Sequence, residues 1–173
     1  MNDLPPTAPS AIQVGILSDT HLARLTPEFL ARVEACFAGV SIILHAGDLT
    51  ELSVLQAFAG RELHAVHGNM CSMDSYEMLP MKKTITVGNF RLGLIHHVGR
   101  GYDFERQLPG EFGPVDCIVY GHTHHPVCFD RDGTLFINPG SFQPSSRFGT
   151  PGTYAILTVT PDRLQATIRE VPC

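Results

Sequence analysis

Four short motifs in this chain carry side chains able to bind metal ions, and most of them close an apolar run. They are Asp19-Thr20-His21, Gly47-Asp48, Gly68-Asn69 and Gly121-His122-Thr123-His124, and His96 adds a fifth position after Phe90–Ile95. Together they offer two carboxylates, one amide oxygen and four imidazoles, without a thiolate. Such a mixed nitrogen and oxygen set suits Mn, Fe, Zn, Co or Ni better than Ca or Mg. In extended chain, residues i and i+2 point the same way, so Asp19 with His21, and His122 with His124, can each face one ion. Singly the signals are weak: Asp19 could cap a helix, and Asp48 or Asn69 could simply belong to a turn. The GHTH run is more specific, because two same-face histidines after a buried strand have few structural uses. The joint order argues for convergence on metal.

The elements that must position these residues follow from periodicity and punctuation. Ile12–Leu17 reads as a strand, and Thr26-Pro27-Glu28 as the start of a helix with Phe29, Leu30, Val33 and Phe37 on one face that ends near Gly39. Ser41–His45 is a buried strand, Ser53–Phe58 a short helix stopped by Gly60, and Leu63–Val66 a third strand. Strand, helix, strand, helix, strand predicts a parallel sheet. Three hairpins are then expected: Lys83–Val87 with Phe90–Ile95, Val127–Asp130 with Thr134–Asn138, and Thr153–Thr158 with Leu164–Glu170. Asp116–Tyr120 is a further buried strand. A two-sheet sandwich flanked by helices would hold both halves in one core, as a single domain over residues 12–173 behind a loose tail, 1–11. In open α/β sheets ligands gather beyond the carboxyl ends of strands, where these motifs fall. Met70–Met81, Gly99–Gly113 and Phe142–Gly152 read as loops that would set substrate choice.

Composition narrows the function classes. The chain has 173 residues, 43% hydrophobic and 17% charged, with a formal net charge of -5 and nine histidines. That apolar fraction excludes a disordered chain, and the longest hydrophobic run, four residues, excludes a membrane-spanning helix. Twelve Lys and Arg against seventeen Asp and Glu argue against a nucleic-acid backbone partner. Cysteines at 36, 71, 117, 128 and 173 form no CxxC pair, and the N-terminus shows no signal peptide, so a cytoplasmic protein with reduced thiols is expected. Homo-oligomerisation is left open.

DTH, GD, GN, a histidine after an apolar strand and GHTH, in that order, resemble the calcineurin-like metallophosphoesterase superfamily. The short length and Asn138-Pro139-Gly140-Ser141 are similar to its small prokaryotic phosphodiesterase branch, and the resemblance spans Ile12 to Val171. It implies an α/β fold, a four-layer α-β-β-α sandwich of two mixed sheets flanked by helices, with a dinuclear site at the sheet edge. By that pattern Asp19, His21 and His124 hold one ion, Asn69, His96 and His122 the other, and Asp48 bridges both. The cofactors implied are two divalent transition-metal ions, manganese favoured over Fe, Zn, Co or Ni. Four positive charges against two carboxylates leave the site about +2. The activity implied is a phosphodiesterase acting on a small or activated phosphate ester, with a metal-bridging hydroxide as in-line nucleophile and no side-chain nucleophile. A phosphomonoesterase, or a protein-interaction scaffold like the retromer subunit of this fold, are the alternatives.

One departure matters. Many larger relatives read GNHE, and this chain has Met70 where they carry a histidine assigned to leaving-group protonation. A thioether cannot donate a proton. His67 and His97 are the substitute acid candidates, although strand alternation after His96 would turn His97 away from the site. Asn69 and Arg147 are candidate phosphate contacts, and Asn138 and Ser141 could orient ligands. His45 is expected to pack or hydrogen-bond at the sheet, with His64 and His125 exposed or structural.

Overall fold

A computed structural model describes residues 11–97, 104–144 and 150–172. Ten strands form two five-stranded sheets. The first sheet has the order β10-β9-β1-β2-β3, with β1 at Ile12–Leu17, β2 at Ile42–His45, β3 at Glu62–Ala65, β9 at Thr153–Val159 and β10 at Leu164–Glu170. The second has the order β4-β5-β6-β8-β7, with β4 at Lys82–Val87, β5 at Phe90–Ile95, β6 at Cys117–Val119, β7 at Val127–Arg131 and β8 at Thr134–Asn138. Strands β1, β2 and β3 are parallel neighbours, as are β5, β6 and β8, while all three expected hairpins pair antiparallel.

Alternation along each strand builds the layers. Val14, Ile16, Leu44, Leu92, Leu94, Val119, Ile137 and Leu157 turn inward and form the core between the sheets. Their neighbours Leu17, Ile43 and Ile156 face outward onto helix α1, Pro27–Phe37, and the 3₁₀ helix Leu52–Phe58. Ile118, Tyr120 and Phe136 face outward from the second sheet with Leu108 of helix α3, Phe104–Glu111. The result is the four-layer α-β-β-α sandwich. Gly15 shows how tightly α1 seats: a Cβ there would lie 2.5 Å from the Phe37 ring. Thr26 caps α1 by accepting from the Phe29 N–H at 3.2 Å, with Pro27 in the first turn.

Two expected loops contain helices instead. Helix α2, Met73–Met78, is capped by Ser72 and buries only Ser75, so it lacks the apolar period that would have revealed it. Helix α3 carries Pro109 and Gly110, residues that read as breakers in sequence. The short helix expected over Ser53–Phe58 is present as a 3₁₀ helix. Residues 1–10 of the expected tail, and Arg147, lie outside the described residues.

Candidate metal centre

Five strand ends deliver the candidate donors to one edge of the sandwich. Asp19 and His21 follow β1, Asp48 follows β2, Asn69 follows β3, His96 leaves β5, and His122 and His124 follow β6. The two sheets are tied here by the His122 N–H, which donates to Asp19 Oδ2 at 3.1 Å, and within the second sheet the Gly121 N–H donates to the His96 carbonyl at 3.1 Å. Glycine makes the approach physically possible. A Cβ on Gly68 would overlap the Asp48 carboxylate, one on Gly121 would overlap the Ser18 hydroxyl, and one on Gly47 (φ +94°) would lie 2.7 Å from the His96 Cβ.

Convergence does not come from extended-chain alternation, as the spacing suggested. Asp19 (φ 54°), His21 (46°), Asp48 (52°), His122 (74°) and His124 (57°) all have left-handed backbones, which non-glycine residues seldom adopt. Only Thr50 and Asp132 share that conformation among the other described non-glycine residues. Such strain costs about 1–3 kcal/mol per residue and persists where surrounding structure holds it. His122 and His124 therefore diverge into different groups rather than facing one point.

The first group is Asp19, His21 and His124. Asp19 Oδ1 lies 3.1 Å from His124 Nε2 and 3.7 Å from His21 Nε2, and the two Nε2 atoms are 3.2 Å apart. Donors about 2.1 Å from a tetrahedral ion stand ~3.4 Å apart, so this triangle fits. The second group is His96, His97 and His122, and a third, Asp19, Asp48 and His96, joins the other two. Asp48 Oδ2 lies 3.2 Å from His96 Nε2, while its Oδ1 accepts from the Met70 N–H at 2.7 Å.

Two atoms argue that something positive belongs here. Asp19 Oδ1 and His96 Nε2 are buried without a hydrogen-bond partner, although His124 Nε2 and Asp48 Oδ2 stand 3.1 and 3.2 Å from them. His96 Nδ1 donates to the Ala46 carbonyl at 2.8 Å, so Nε2 is left with its lone pair. A buried lone pair beside a carboxylate is costly unless a proton or cation lies between them. The residues present fit divalent transition-metal ions.

Electrostatics agree. Burial pushes the Asp19 carboxyl up, but His124, His21 and His96 more than reverse this and hold it far below its ordinary value. Asp48 is also lowered, burial being outweighed by contacts with His96 and the Met70 N–H. Against the cost of burial, Asp48 and Asp19 raise the pKa of His96, and Asp19 raises that of His124. Burial lowers His97 and His122, with the neighbouring His96 adding to the effect. Both carboxylates thus stay ionised, ready for a cation.

Arg147 aside, the remaining expected residues take definite places. His97 does not turn away from the site: pairing of β5 ends at Ile95 and the chain bends at His96, so alternation no longer applies. Its ring stacks on His122 with centroids 4.6 Å apart and planes at 19°. His67 is half-buried, with its ring 4.2 Å from Tyr76 and an unpartnered, buried Nδ1. Asn69 is exposed on the turn beside Gly68. His45 is fully buried, 3.2 Å from Thr20 Oγ1, and accepts the Gly47 N–H at Nδ1. Asn138 donates to the Gly121 carbonyl and to Thr123 Oγ1, both at 2.9 Å, and Ser141 Oγ donates to the Asp19 carbonyl at 3.0 Å. The role of Ala46 escaped sequence reading, because a carbonyl acceptor leaves no residue-type signal.

A cavity of about 320 Å³ adjoins His124, lined also by His125, Ser141, Gln143, Thr153 and Glu170. A larger one, about 670 Å³, sits at the opposite end of the second sheet, by Arg91, Asp116 and Thr134, remote from the donors. Among the described residues no helix is long and apolar enough to cross a membrane.

Residues 12–162 match the model of the calcineurin-like phosphoesterase superfamily domain. A probable metallophosphoesterase of Methanothermobacter thermautotrophicus is 34% identical over 161 residues, covering 90% of each chain. The fold is similar to that of vacuolar protein sorting 29 from Cryptosporidium parvum, with TM-score 0.71, 17% identity, and 92% and 97% of the two chains covered. It is also similar to that of an archaeal phosphodiesterase, with TM-score 0.67, 21% identity, and 91% and 100% covered.

Proposed function

Because the chain belongs to the calcineurin-like phosphoesterase superfamily, we propose that it is a metal-dependent phosphodiesterase that hydrolyses a small or activated phosphate ester at a dinuclear site. The observation that carries this reading is the linkage of two donor groups through Asp19, Asp48 and His96. Asp19, His21 and His124 would hold one ion, His96, His122 and Asn69 the other, and Asp48 would serve both. Two divalent ions supply the positive charge that draws a phosphate anion and the Lewis acidity that activates water for in-line attack.

The chain's own residues do the rest. His96 donates Nδ1–H to the Ala46 carbonyl, which orients the ring and leaves Nε2 as the nitrogen that would face an ion. Ser141 and Asn138 fix the backbones of Asp19 and Gly121, so the site is held before substrate arrives. The cavity beside His124 is where the alcohol portion of the ester would sit. With methionine at position 70, no acid stands there, which favours esters with good leaving groups. Arg147 remains a candidate phosphate contact, and His67 a candidate acid.

The likeness to vacuolar protein sorting 29 carries the fold alone, and the complete donor set supports hydrolysis over scaffolding. The test is hydrolysis of a chromogenic phosphodiester and the matching monoester with Mn²⁺ or Zn²⁺, with chelator, and in Asp48→Asn. The diester should be preferred, and both chelator and substitution should abolish turnover. Activity indifferent to both would overturn the mechanism; no ester hydrolysis by protein carrying two ions would favour the scaffold.

A further inference from the structure

We propose that His97 is a third imidazole donor of the second ion, and that this makes the two halves of the centre chemically unequal. The inference rests on the dinuclear reading above. Ring nitrogens of His96, His97 and His122 all lie within 4.8 Å of one another. His97 stacks on His122, and His96 meets both edge-on, at 5.3 Å from each centroid. His96 also stands 3.2 Å from Asp48, which the reading above already places in the centre. Three imidazoles whose ring nitrogens stand this close can offer their donors to a single ion.

The consequence is selectivity. With Asp48 shared, the second ion would have three imidazoles, His96, His97 and His122, beside Asn69, while the first would have two, His21 and His124, and a second carboxylate, Asp19. Imidazole suits Zn, Co and Ni, whereas carboxylate oxygen suits Mn, and Mn binds weakest of the divalent series at nitrogen sites. The second half should therefore take Zn, Co or Ni before Mn, unlike the manganese expected from the sequence.

The experiment is titration of the full chain with Zn²⁺ and separately with Mn²⁺ against a chromophoric chelator, for the wild type, His97→Ala and His97→Gln. Proton NMR of the Co²⁺-loaded proteins would count shifted imidazole N–H resonances. Wild type should bind two zinc ions. Both variants should keep one at unchanged affinity and hold the second at least tenfold more weakly, with a smaller loss for Mn²⁺. One shifted N–H resonance should disappear. Equal second-ion affinity in all three proteins would overturn the inference, as would weaker binding with every resonance retained, which would mean that His97 acts only by stacking. A wild type that binds no more than one ion would instead sink the dinuclear reading itself.

Discussion

His96 reaches across from the second sheet to donate its Nδ1–H to the Ala46 carbonyl of the first, at 2.8 Å. This bond fixes the tautomer and aims the Nε2 lone pair at Asp48 Oδ2, 3.2 Å away. The sandwich is thereby closed at the edge where its donors meet. With neither a proton nor a cation between them, a buried nitrogen lone pair and a carboxylate oxygen repel, a local electrostatic cost that a bound cation removes.

Metal should relieve that cost and stabilise the fold. At a free concentration a hundred times Kd, an ion that binds only the native state adds about 2.7 kcal/mol. For a domain of this size that raises Tm by roughly 5–10 °C. Thermal melting with Mn²⁺ or Zn²⁺, and with chelator, measures the rise. Asp48→Asn, which removes the shared charge, should lose most of it. A Tm indifferent to metal in the wild type would contradict the assigned centre.

Gly68→Ala should disable the centre more than it unfolds the protein. The added methyl would overlap the Asp48 carboxylate and lie 2.6 Å from its backbone nitrogen, which cannot swing aside as a side chain could. Overpacking of this kind costs about 1–3 kcal/mol. Gly60→Ala is the control: it has a positive φ of 84° but nothing within 4 Å, so it should cost about 1 kcal/mol and leave metal binding intact. Urea unfolding beside metal titration separates the two effects, and equal metal affinity in both variants would refute the steric reading.

The strands were legible because each buries one or both faces, and Val14, Ile16 and Leu44 mark that pattern without help from distant residues. The donor residues were legible because Asp19, His21, Asp48, His96, His122 and His124 are chemically distinctive and end strands. Their geometry was not. Left-handed backbones at Asp19 and His122 depend on contacts such as His122 N–H to Asp19 Oδ2, which join residues far apart in the chain. His97 was misplaced for the same reason, since alternation was extended past the end of β5. Helix α3 was hidden by Pro109, a local signal overridden by packing of Leu108 beneath the second sheet.

His45 should make stability fall in mild acid. It is fully buried, and burial pushes its pKa down to about 4. The unfolded chain takes up this proton near its ordinary ~6.5, before the folded one does, so the unfolded state gains as pH falls. Its contribution is complete above pH ~6.5 and lost towards pH 4, amounting to about 3 kcal/mol. His45→Asn, whose amide oxygen can accept the Gly47 N–H in place of Nδ1, should flatten that slope. Denaturant unfolding of chelator-treated protein between pH 4 and 7 measures it, and identical slopes would contradict the assignment.

Asn138→Ala should lower turnover further than its stability cost explains. This fully buried amide donates to the Gly121 carbonyl and Thr123 Oγ1, and accepts the Gly140 N–H, each at 2.9 Å. It therefore pins both the loop carrying His122 and His124 and the turn leading to Ser141. Removing it strands at least two buried backbone groups, a loss of about 2–4 kcal/mol. Loosened donors should then reduce metal affinity or turnover by roughly 10–100-fold, measured well below the lowered Tm. Asn138→Asp keeps the acceptor for Gly140 but loses both donations to the histidine loop. If that loop is what matters, Asn138→Asp should match the alanine variant in activity, and recovery of activity in it would shift the role to the Gly140 turn.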